Sequence, residues 1–380
     1  MIYMDNAATS WPKPPCVYRA VLDCMKNTGA NPGRSGHSMA IAAGNLILHT
    51  RELIAKFFSI DDPFRIIFTA NTTESLNLGI KGILKAGDHV ITTTMEHNSV
   101  VRPLKQLECS GIELTFVKCD ENGILDPDLI KRAIKPNTKL IVTTHASNVI
   151  GSILPIEEIS KIAREYELIY LVDIAQTAGI IPINVNKHNI HMLAFPGHKG
   201  LLGPQGTGGL YIAPGIELMQ LKEGGTGSLS ESIYQPYILP DRYESGTLNT
   251  PGIAGLGAGL EFLLRPDTTD MIDNMRKLEM YFLDSITKIK GVKVYGPREP
   301  NKRVGAISIN IGNRDSAEIS NLLDQEYDIA TRGELHCAPL AHDTINTLNQ
   351  GTVRFSLGLF TTIADINKCI EAIYNIAKKI

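Results

Sequence analysis

Cysteines are few and widely spaced in this chain. The six, at positions 16, 24, 109, 119, 337 and 369, form no CxxC pair and no dense cluster. This spacing does not match a disulfide framework or a zinc site, so we predict neither and expect a reducing environment.

Long apolar runs and unbalanced charge are also missing. No uninterrupted apolar stretch approaches the roughly 20 residues that a membrane helix requires. The first six residues, Met-Ile-Tyr-Met-Asp-Asn, contain neither the basic nor the apolar part of an export signal. A formal net charge of -3 gives no basic stripe for nucleic acid. We therefore expect a cytoplasmic protein with no membrane or nucleic-acid partner.

What is present is the composition of a globular protein long enough for two domains: 380 residues, 43% hydrophobic and 20% charged. From about residue 15 to 215, apolar strand patterns alternate with amphipathic helix patterns. This alternation predicts an α/β fold with an open, mostly parallel sheet. The expected strands are 65–69, 89–93, 113–117, 140–144, 169–173 and 209–213.

The pattern changes after this region. Residues 224 to 251 are rich in Gly, Pro and Ser and predict an irregular loop, followed by a helix from about 252 to 264. Beyond it we expect helices at 270–289, 316–326 and 364–378 and a strand at 306–311. We predict a large domain over 13–257 and a smaller α+β domain formed by 1–12 and 258–380.

A carboxylate and a lysine mark the most informative stretch. Asp173 ends an apolar strand, and Lys199 follows in the glycine-lined turn Pro-Gly-His-Lys-Gly. A pyridoxal phosphate enzyme needs this pair, because the lysine amine binds the cofactor aldehyde and the carboxylate keeps the pyridine nitrogen protonated. Gln176 could donate to the cofactor's phenolic oxygen. A plain turn at Lys199, or a structural Arg or Lys beside Asp173, remains the alternative.

Other polar residues follow predicted strands. Asn71 and Glu74 have capping-box character and open a helix, where Thr72 and Thr73 would add hydroxyls to a phosphate cradle. His97, after another strand, could stack on a planar cofactor. Any capped helix or polar loop shares these features.

Near the C-terminus, Cys337 lies five residues after Arg332. Positive charge lowers the pKa of a thiol, which makes Cys337 a candidate nucleophile, with a buried inert cysteine as the alternative. Arg354 begins a predicted strand and is a candidate clamp for a substrate carboxylate.

Together these motifs resemble the class V aminotransferase family of fold-type I pyridoxal phosphate enzymes, specifically the cysteine desulfurases. The resemblance runs almost end to end. It rests on Asp5-Asn-Ala-Ala-Thr, Asn31-Pro-Gly-Arg-Ser-Gly-His, Thr72-Thr-Glu, Met95-Glu-His, His145-Ala-Ser-Asn, Val172-Asp-Ile-Ala-Gln, Gly197-His-Lys, Glu244-Ser-Gly-Thr-Leu-Asn, Arg332–Cys337 and Arg354-Phe-Ser. The short Arg-x-x-x-His-Cys-Ala form resembles the group II (SufS/CsdB-like) branch.

The resemblance implies a large domain with a seven-stranded, mostly parallel sheet, and it implies roles for the residues around the cofactor. Lys199 would be the Schiff-base lysine, Asp173 the pyridinium partner and Gln176 the O3′ donor. His97 would stack on the ring. The implied phosphate ligands are Thr73, His198 and Thr247 of the partner subunit, with Thr72 beside them.

The resemblance also implies a reaction. Arg354 and Asn148 would hold the substrate carboxylate, with Arg34 nearby. Lys199 would take the Cα proton and the thiolate of Cys337 would attack the substrate sulfur, leaving a persulfide and L-alanine. The enzyme would be a homodimer that passes sulfur, or selenium, to an acceptor protein.

Alternative activities remain open at this point. Selenocysteine lyase and cysteine sulfinate desulfinase need the thiol less, a class V aminotransferase would not need it, and an idle scaffold would bind no cofactor. The sequence also departs from the usual pattern: Pro196 replaces a phosphate-binding serine, and Glu334-Leu335 replace Gly-His. The segment beginning Gly224-Gly-Thr-Gly differs as well. These departures suggest a distinct subfamily.

Overall fold

The computed structural model describes residues 1–33 and 36–379. Its strands are β1 (Ile2–Tyr3), β2 (Ile66–Thr69), β3 (His89–Thr93), β4 (Glu113–Val117), β5 (Thr138–Thr144), β6 (Ile169–Asp173), β7 (Met192–Pro196), β8 (Gly208–Ile212), β9 (Val292–Val294), β10 (Ala306–Ile311), β11 (Ile329–Ala330) and β12 (Val353–Ser356). Its α-helices are α1 (Pro15–Asn27), α2 (Ser38–Phe58), α3 (Thr72–Ile83), α4 (Asn98–Glu108), α5 (Pro127–Arg132), α6 (Ile156–Glu165), α7 (Thr250–Leu263), α8 (Pro266–Ile286), α9 (Ser316–Tyr327), α10 (Pro339–Thr344) and α11 (Ile363–Lys378).

The central sheet has seven strands in the order β2-β8-β7-β6-β5-β3-β4. Pairing is parallel from β4 through β7, and β8 runs antiparallel to both of its neighbours. The predicted α/β fold with a mostly parallel sheet is confirmed. Because six strands share one direction, Thr69, Thr93, Thr144, Asp173 and Pro196 end at the same edge, where ligands of such sheets bind.

Both faces of this sheet are buried. Along β5, Leu140 and Val142 belong to one hydrophobic cluster while Ile141 belongs to another, and the strands beside it alternate in the same way. Burial on both faces explains why the strands read as continuous apolar runs.

One strand of the sheet was not predicted. The segment Met192–Pro196 is fully buried between β6 and β8. It ends in a proline directly before a glycine-rich turn, and this combination has the sequence pattern of a loop. A proline is nevertheless tolerated at the last residue of a strand, where pairing stops. The helix expected after Asn71 is present as α3, which begins at Thr72.

A second set of elements has its own core. Strands β12, β10 and β9 form an antiparallel sheet, and β1 pairs with β11 in a parallel ladder. Met4 of the N-terminal segment is fully buried in the cluster that includes Phe282, Ile309 and Ile373. The sequence-based domain limits stay a prediction. Within the described ranges, none of the helices combines the length and apolarity needed to cross a lipid bilayer.

Candidate active site

A cavity of about 230 Å³ lies at the carboxyl edge of the central sheet. The structure brings together in its lining most of the residues singled out from the sequence: Thr72, Thr73, His97, Asn148, Asp173, Gln176, His198, Lys199 and Arg354. They come from six separate stretches of chain, which the carboxyl edge of the sheet brings together.

Lys199 lies in the turn between β7 and β8, and this turn packs tightly on the loop that follows Asp173. A Cβ on Gly200 would lie 2.1 Å from the carbonyl oxygen of Ala178, so only glycine allows this approach. Burial lowers the pKa of Lys199 to about 8, helped by the charge of Arg354 and opposed by Asp173. A large fraction of the amine is therefore neutral near pH 8.

The N-terminal segment holds this turn from the other side. The carbonyl oxygen of His198 accepts hydrogen bonds from Thr9 Oγ1 at 3.0 Å, the Ser10 amide at 3.1 Å and Lys13 Nζ at 2.7 Å. Ser10 Oγ also donates to the carbonyl oxygen of Lys199 at 2.8 Å. The backbone on both sides of the Lys199 peptide is thus fixed by a segment almost 190 residues away in the chain.

Asp173 is 3% exposed at the end of β6, and its Oδ1 accepts a 2.8 Å hydrogen bond from the Ala175 amide. Burial raises its pKa to about 6, although the Ala175 amide and the Lys199 charge oppose the rise. Within the part of the chain that the structure describes, no Arg, Lys or His forms an ion pair with Asp173. A buried carboxylate of this kind suits a cationic ligand atom.

His97 occupies the N-cap of α4. Its Nδ1 accepts from the Ser99 amide at 3.0 Å and lies 2.7 Å from Ser99 Oγ. The acceptor role places the ring proton on Nε2 of a neutral imidazole. Burial, followed by the charges of Lys199 and Arg332, lowers the pKa of His97 to about 3. At neutral pH the ring is an uncharged planar surface.

The first turn of α3 forms one end of the cavity. Asn71 caps this helix by accepting from the Glu74 amide, while Glu74 accepts from Ala70 rather than from the N-cap amide, so the predicted capping box is incomplete. Thr73 Oγ1 lies 2.9 Å from Ser99 Oγ. The helix N-terminus with its hydroxyls is the kind of site that binds phosphate.

The opposite end is cationic. Arg354 is 1% exposed on β12, and its guanidinium donates to Asp5 Oδ1 at 2.7 Å and to the Asn148 carbonyl at 2.9 Å. Asn148 Nδ2 donates to the His336 carbonyl at 2.7 Å. Asn148 therefore contacts the Cys337 loop, a connection that the sequence did not indicate.

Cys337 is exposed, and Arg332 Nη2 donates to its Sγ at 3.3 Å. Since Arg332 also lines the cavity, its side chain connects the sulfur to the cavity. The inert buried cysteine considered from the sequence is excluded. His336 contributes no charge to the thiol, because burial lowers its pKa to about 2.

The predictions for Thr247, assigned to the cofactor of the partner subunit, and for Arg34 stay predictions. Thr247 is exposed, accepts from Asn31 Nδ2 at 3.2 Å and belongs to a separate cleft rather than to the described lining of this cavity. Arg34 lies outside the described residues.

Several residues of the site were missed by the sequence reasoning. Asp5 pairs with Arg354, Ser99 joins Thr73 to His97, and Lys13 holds the turn before Lys199. Glu96 is fully buried, accepts from Thr93 Oγ1 and the Thr144 amide, and has its pKa raised by burial to about 8. The one sequence signal that could have indicated Glu96 is its position as a charged residue next to His97 in an apolar setting.

Comparison with known proteins identifies the family of this chain. Residues 2–369 match the model of the family described as Aminotransferase class-V. The chain belongs to this family.

Relatives of this class V aminotransferase chain match it over nearly its whole length. A probable cysteine desulfurase of Methanothermobacter thermautotrophicus is 34% identical, covering 99% of this chain and 94% of that protein. A protein named cysteine desulfurase IscS of Dictyoglomus turgidum is also 34% identical, covering 100% and 95%. The apo structure of a cysteine desulfurase from Thermococcus onnurineus NA1 superposes with a TM-score of 0.94 at 32% identity, covering 100% of this chain and 95% of the other.

Members of this family use pyridoxal phosphate, and the cavity fits it. Among the described residues, the buried side-chain atoms without a hydrogen-bond partner include Thr72 Oγ1, His198 Nδ1 and Arg354 Nε. All three belong to this one cavity. Buried polar atoms are normally paired, so their concentration here indicates a polar ligand. The residues that would hold it are Thr72, Thr73, His97, Asp173, Gln176, His198 and Lys199.

Proposed function

We propose that the chain is a pyridoxal phosphate-dependent cysteine desulfurase that converts L-cysteine to L-alanine and receives the sulfur on Cys337. The observation that carries this proposal is Arg332, which lines the cavity and donates to the Cys337 thiol at 3.3 Å. The printed names of the relatives support the same activity.

The cofactor, when bound, withdraws electrons from the substrate Cα. Lys199, whose pKa is about 8, is the base that takes the Cα proton and later returns a proton to carbon. Asp173, a buried carboxylate, would stabilise the positive charge of the ring nitrogen. The free Nε of Arg354 is a donor for the substrate carboxylate, together with Asn148 and Arg34.

Sulfur transfer is the step that needs Cys337. Its thiolate attacks the substrate Sγ, so an S–S bond forms while the Cβ–Sγ bond breaks. The electron pair of the broken bond stays with carbon, which takes a proton and leaves as alanine. The guanidinium of Arg332 lies against the sulfur and donates to it at 3.3 Å, so it can hold the attacking atom in place.

The assembly is part of the proposal. Exposed apolar residues in the loop before Thr247, among them Ile233, Tyr234 and Tyr237, support a homodimer in which Thr247 reaches the phosphate of the partner's cofactor. The exposed thiol supports delivery of sulfur to an acceptor protein. Six unpaired cysteines support a cytoplasmic location.

Two finer assignments belong here as well. The short stretch between Arg332 and Cys337 supports the group II branch. The buried hydrophobic cluster formed by Met4 and residues between 275 and 376 supports a small domain of 1–12 and 258–380 beside a large one over 13–257.

Substrate comparison tests the function. We expect the wild-type holoenzyme to form alanine from L-cysteine with added thiol, and Cys337→Ala to lose this activity while retaining turnover of selenocysteine or cysteine sulfinate. Turnover of sulfinate alone would favour a desulfinase. Transfer of amino groups to keto acids, unaffected by Cys337→Ala, would favour an aminotransferase.

A further inference from the structure

The turn that presents Cys337 has an unusual backbone. Glu334, His336 and Cys337 have φ values of 70°, 50° and 59°, in the left-handed region that residues with a Cβ avoid. Each such residue costs on the order of 1–3 kcal/mol and persists only where its surroundings fix it. Something besides backbone preference must therefore hold the turn.

The buried side chain of His336 helps to hold the turn, and it does so through a hydrogen bond to a second histidine, His342. Its Nε2 lies 3.0 Å from the Arg332 carbonyl oxygen and its Nδ1 lies 3.2 Å from Nε2 of His342. His342, on α10, is fully buried, and its Nδ1 lies 2.8 Å from Thr347 Oγ1. The two rings lie edge to edge, with an interplanar angle of 17° and centroids 5.4 Å apart, as a hydrogen bond between their nitrogens requires.

The donor and acceptor of each hydrogen bond in this network can be assigned by starting from the Arg332 carbonyl. A carbonyl only accepts, so His336 Nε2 must donate to Arg332, and Nδ1 of a neutral ring must then accept from His342 Nε2. His342 Nδ1 in turn accepts from the Thr347 hydroxyl. Burial lowers the pKa of both histidines, to about 2 and about 4, which keeps both rings in this neutral form.

The backbone of the same turn is held as well, at Glu334 by Ser316 Oγ and the Thr352 amide and at the next residues by two asparagines. The His336 carbonyl accepts from Asn148 Nδ2 at 2.7 Å, and the Cys337 carbonyl accepts from the Asn98 amide at 2.8 Å. Asn98 is the first residue of α4 and Asn148 lies in the loop after β5, both at the carboxyl edge of the sheet. With the imidazole buried and the carbonyls bound, the thiol stays exposed and in contact with Arg332 of the cavity lining.

We propose that His336 and His342 are positioning residues, which hold the strained turn so that the Cys337 thiol is fixed beside the cavity before substrate binds. This inference rests on the proposed function. It assigns the two histidines no contact with substrate or cofactor.

His342→Met tests the proposal in the holoenzyme, since Met fills the space but cannot donate to His336. We expect kcat for alanine formation from L-cysteine to fall by about 10- to 100-fold, the cost of misplacing a reacting group by about 1 Å. Exchange of the Cα proton of L-alanine with D2O, which needs Lys199 but not Cys337, should stay within about twofold. The cofactor absorbance should be unchanged.

Two further variants make the result decisive. His342→Gln keeps a donor near the Nε2 position and should recover most of the L-cysteine activity. His89→Gln is the matched control, because His89 is also fully buried between two threonine hydroxyls but lies at the start of β3. It should cost stability and leave both rates unchanged.

The outcomes separate the possibilities. A parallel fall of alanine formation and Cα exchange in His342→Met would overturn the proposal, as would no fall in either. If His342→Met does not fold, Thr347→Val, which removes the hydroxyl that donates to His342 Nδ1, takes its place: a loss confined to L-cysteine turnover supports the proposal, and an equal loss of both rates or no loss of either overturns it. Absence of alanine formation from L-cysteine in the wild type, with Cα exchange intact, would instead count against the proposed function.

Discussion

The ammonium group of Lys13 donates a 2.7 Å hydrogen bond to the carbonyl oxygen of His198, one residue before Lys199. Burial lowers the pKa of Lys13 to about 8, and within the described residues it has no carboxylate partner. A half-buried cation of this kind is costly to desolvate, so its position is better explained by the turn that it holds than by stability.

Lys13→Met should therefore separate function from stability. We expect cofactor affinity to fall by about 10- to 150-fold, one lost hydrogen bond from a charged donor being worth about 1.5–3 kcal/mol, while the melting temperature of the apoprotein stays the same or rises. Absorbance titration with pyridoxal phosphate measures the first and thermal unfolding the second. Lys56→Met, at an exposed position of α2, is the control, and an equal loss of affinity there would contradict the prediction.

Asp173 makes the stability of the apoprotein depend on pH. Its pKa rises from 3.8 to about 6 on folding, so the folded state binds the proton more tightly than the unfolded state. Its contribution is fully present below pH 3.8 and is lost as the pH rises through about 6. Asp173→Asn should remove this loss and stabilise the apoprotein at pH 7.5 by on the order of 1–3 kcal/mol, while weakening cofactor binding.

Denaturant unfolding of both apoproteins across this pH range measures the effect. The difference in unfolding free energy between Asp173→Asn and wild type should grow from pH 4 to about pH 7. A difference that is constant over the range would contradict it.

Lys199 gives a second pH dependence, in the rate at which apoprotein takes up pyridoxal phosphate. Attack on the aldehyde needs the neutral amine, so the rate should rise with pH and level off above about 8, the pKa of Lys199, rather than near 10.5. Arg354→Met should move the midpoint upward, because the guanidinium charge lowers this pKa. Stopped-flow absorbance follows the reaction, and an unchanged midpoint in Arg354→Met would be inconsistent with this electrostatic origin.

Much of the fold could be read from the sequence because buried parallel strands form continuous apolar runs. The strand at Met192–Pro196 escaped since its proline and the adjoining glycines have the pattern of a loop. Within the site, Asp173 and Lys199 could be recognised because charged residues end or follow apolar strands. Lys13 and the His336–His342 contact could not, since pairings between distant or inward-facing side chains leave no spacing pattern.

The turn at Glu334 offers a stability test. This exposed residue has a φ of 70°, where glycine is unstrained and any other residue is not. We expect Glu334→Gly to raise the free energy of unfolding by about 1 kcal/mol. Leu335, the next residue, is not among those with positive φ, so Leu335→Gly should destabilise. Equal effects of the two substitutions would contradict the assignment of strain to Glu334.

The most direct measurement is the mass of the peptide that contains Cys337, after the holoenzyme has been incubated with L-cysteine in the absence of a reducing acceptor. Peptide mass analysis should find one added sulfur atom on Cys337, formed together with one alanine per site, and neither product in Cys337→Ala. The other described cysteines, of which only Cys109 is as exposed, should stay unmodified. Alanine released with Cys337 unmodified, or equal persulfide on Cys109, would contradict a sulfur transfer through Cys337.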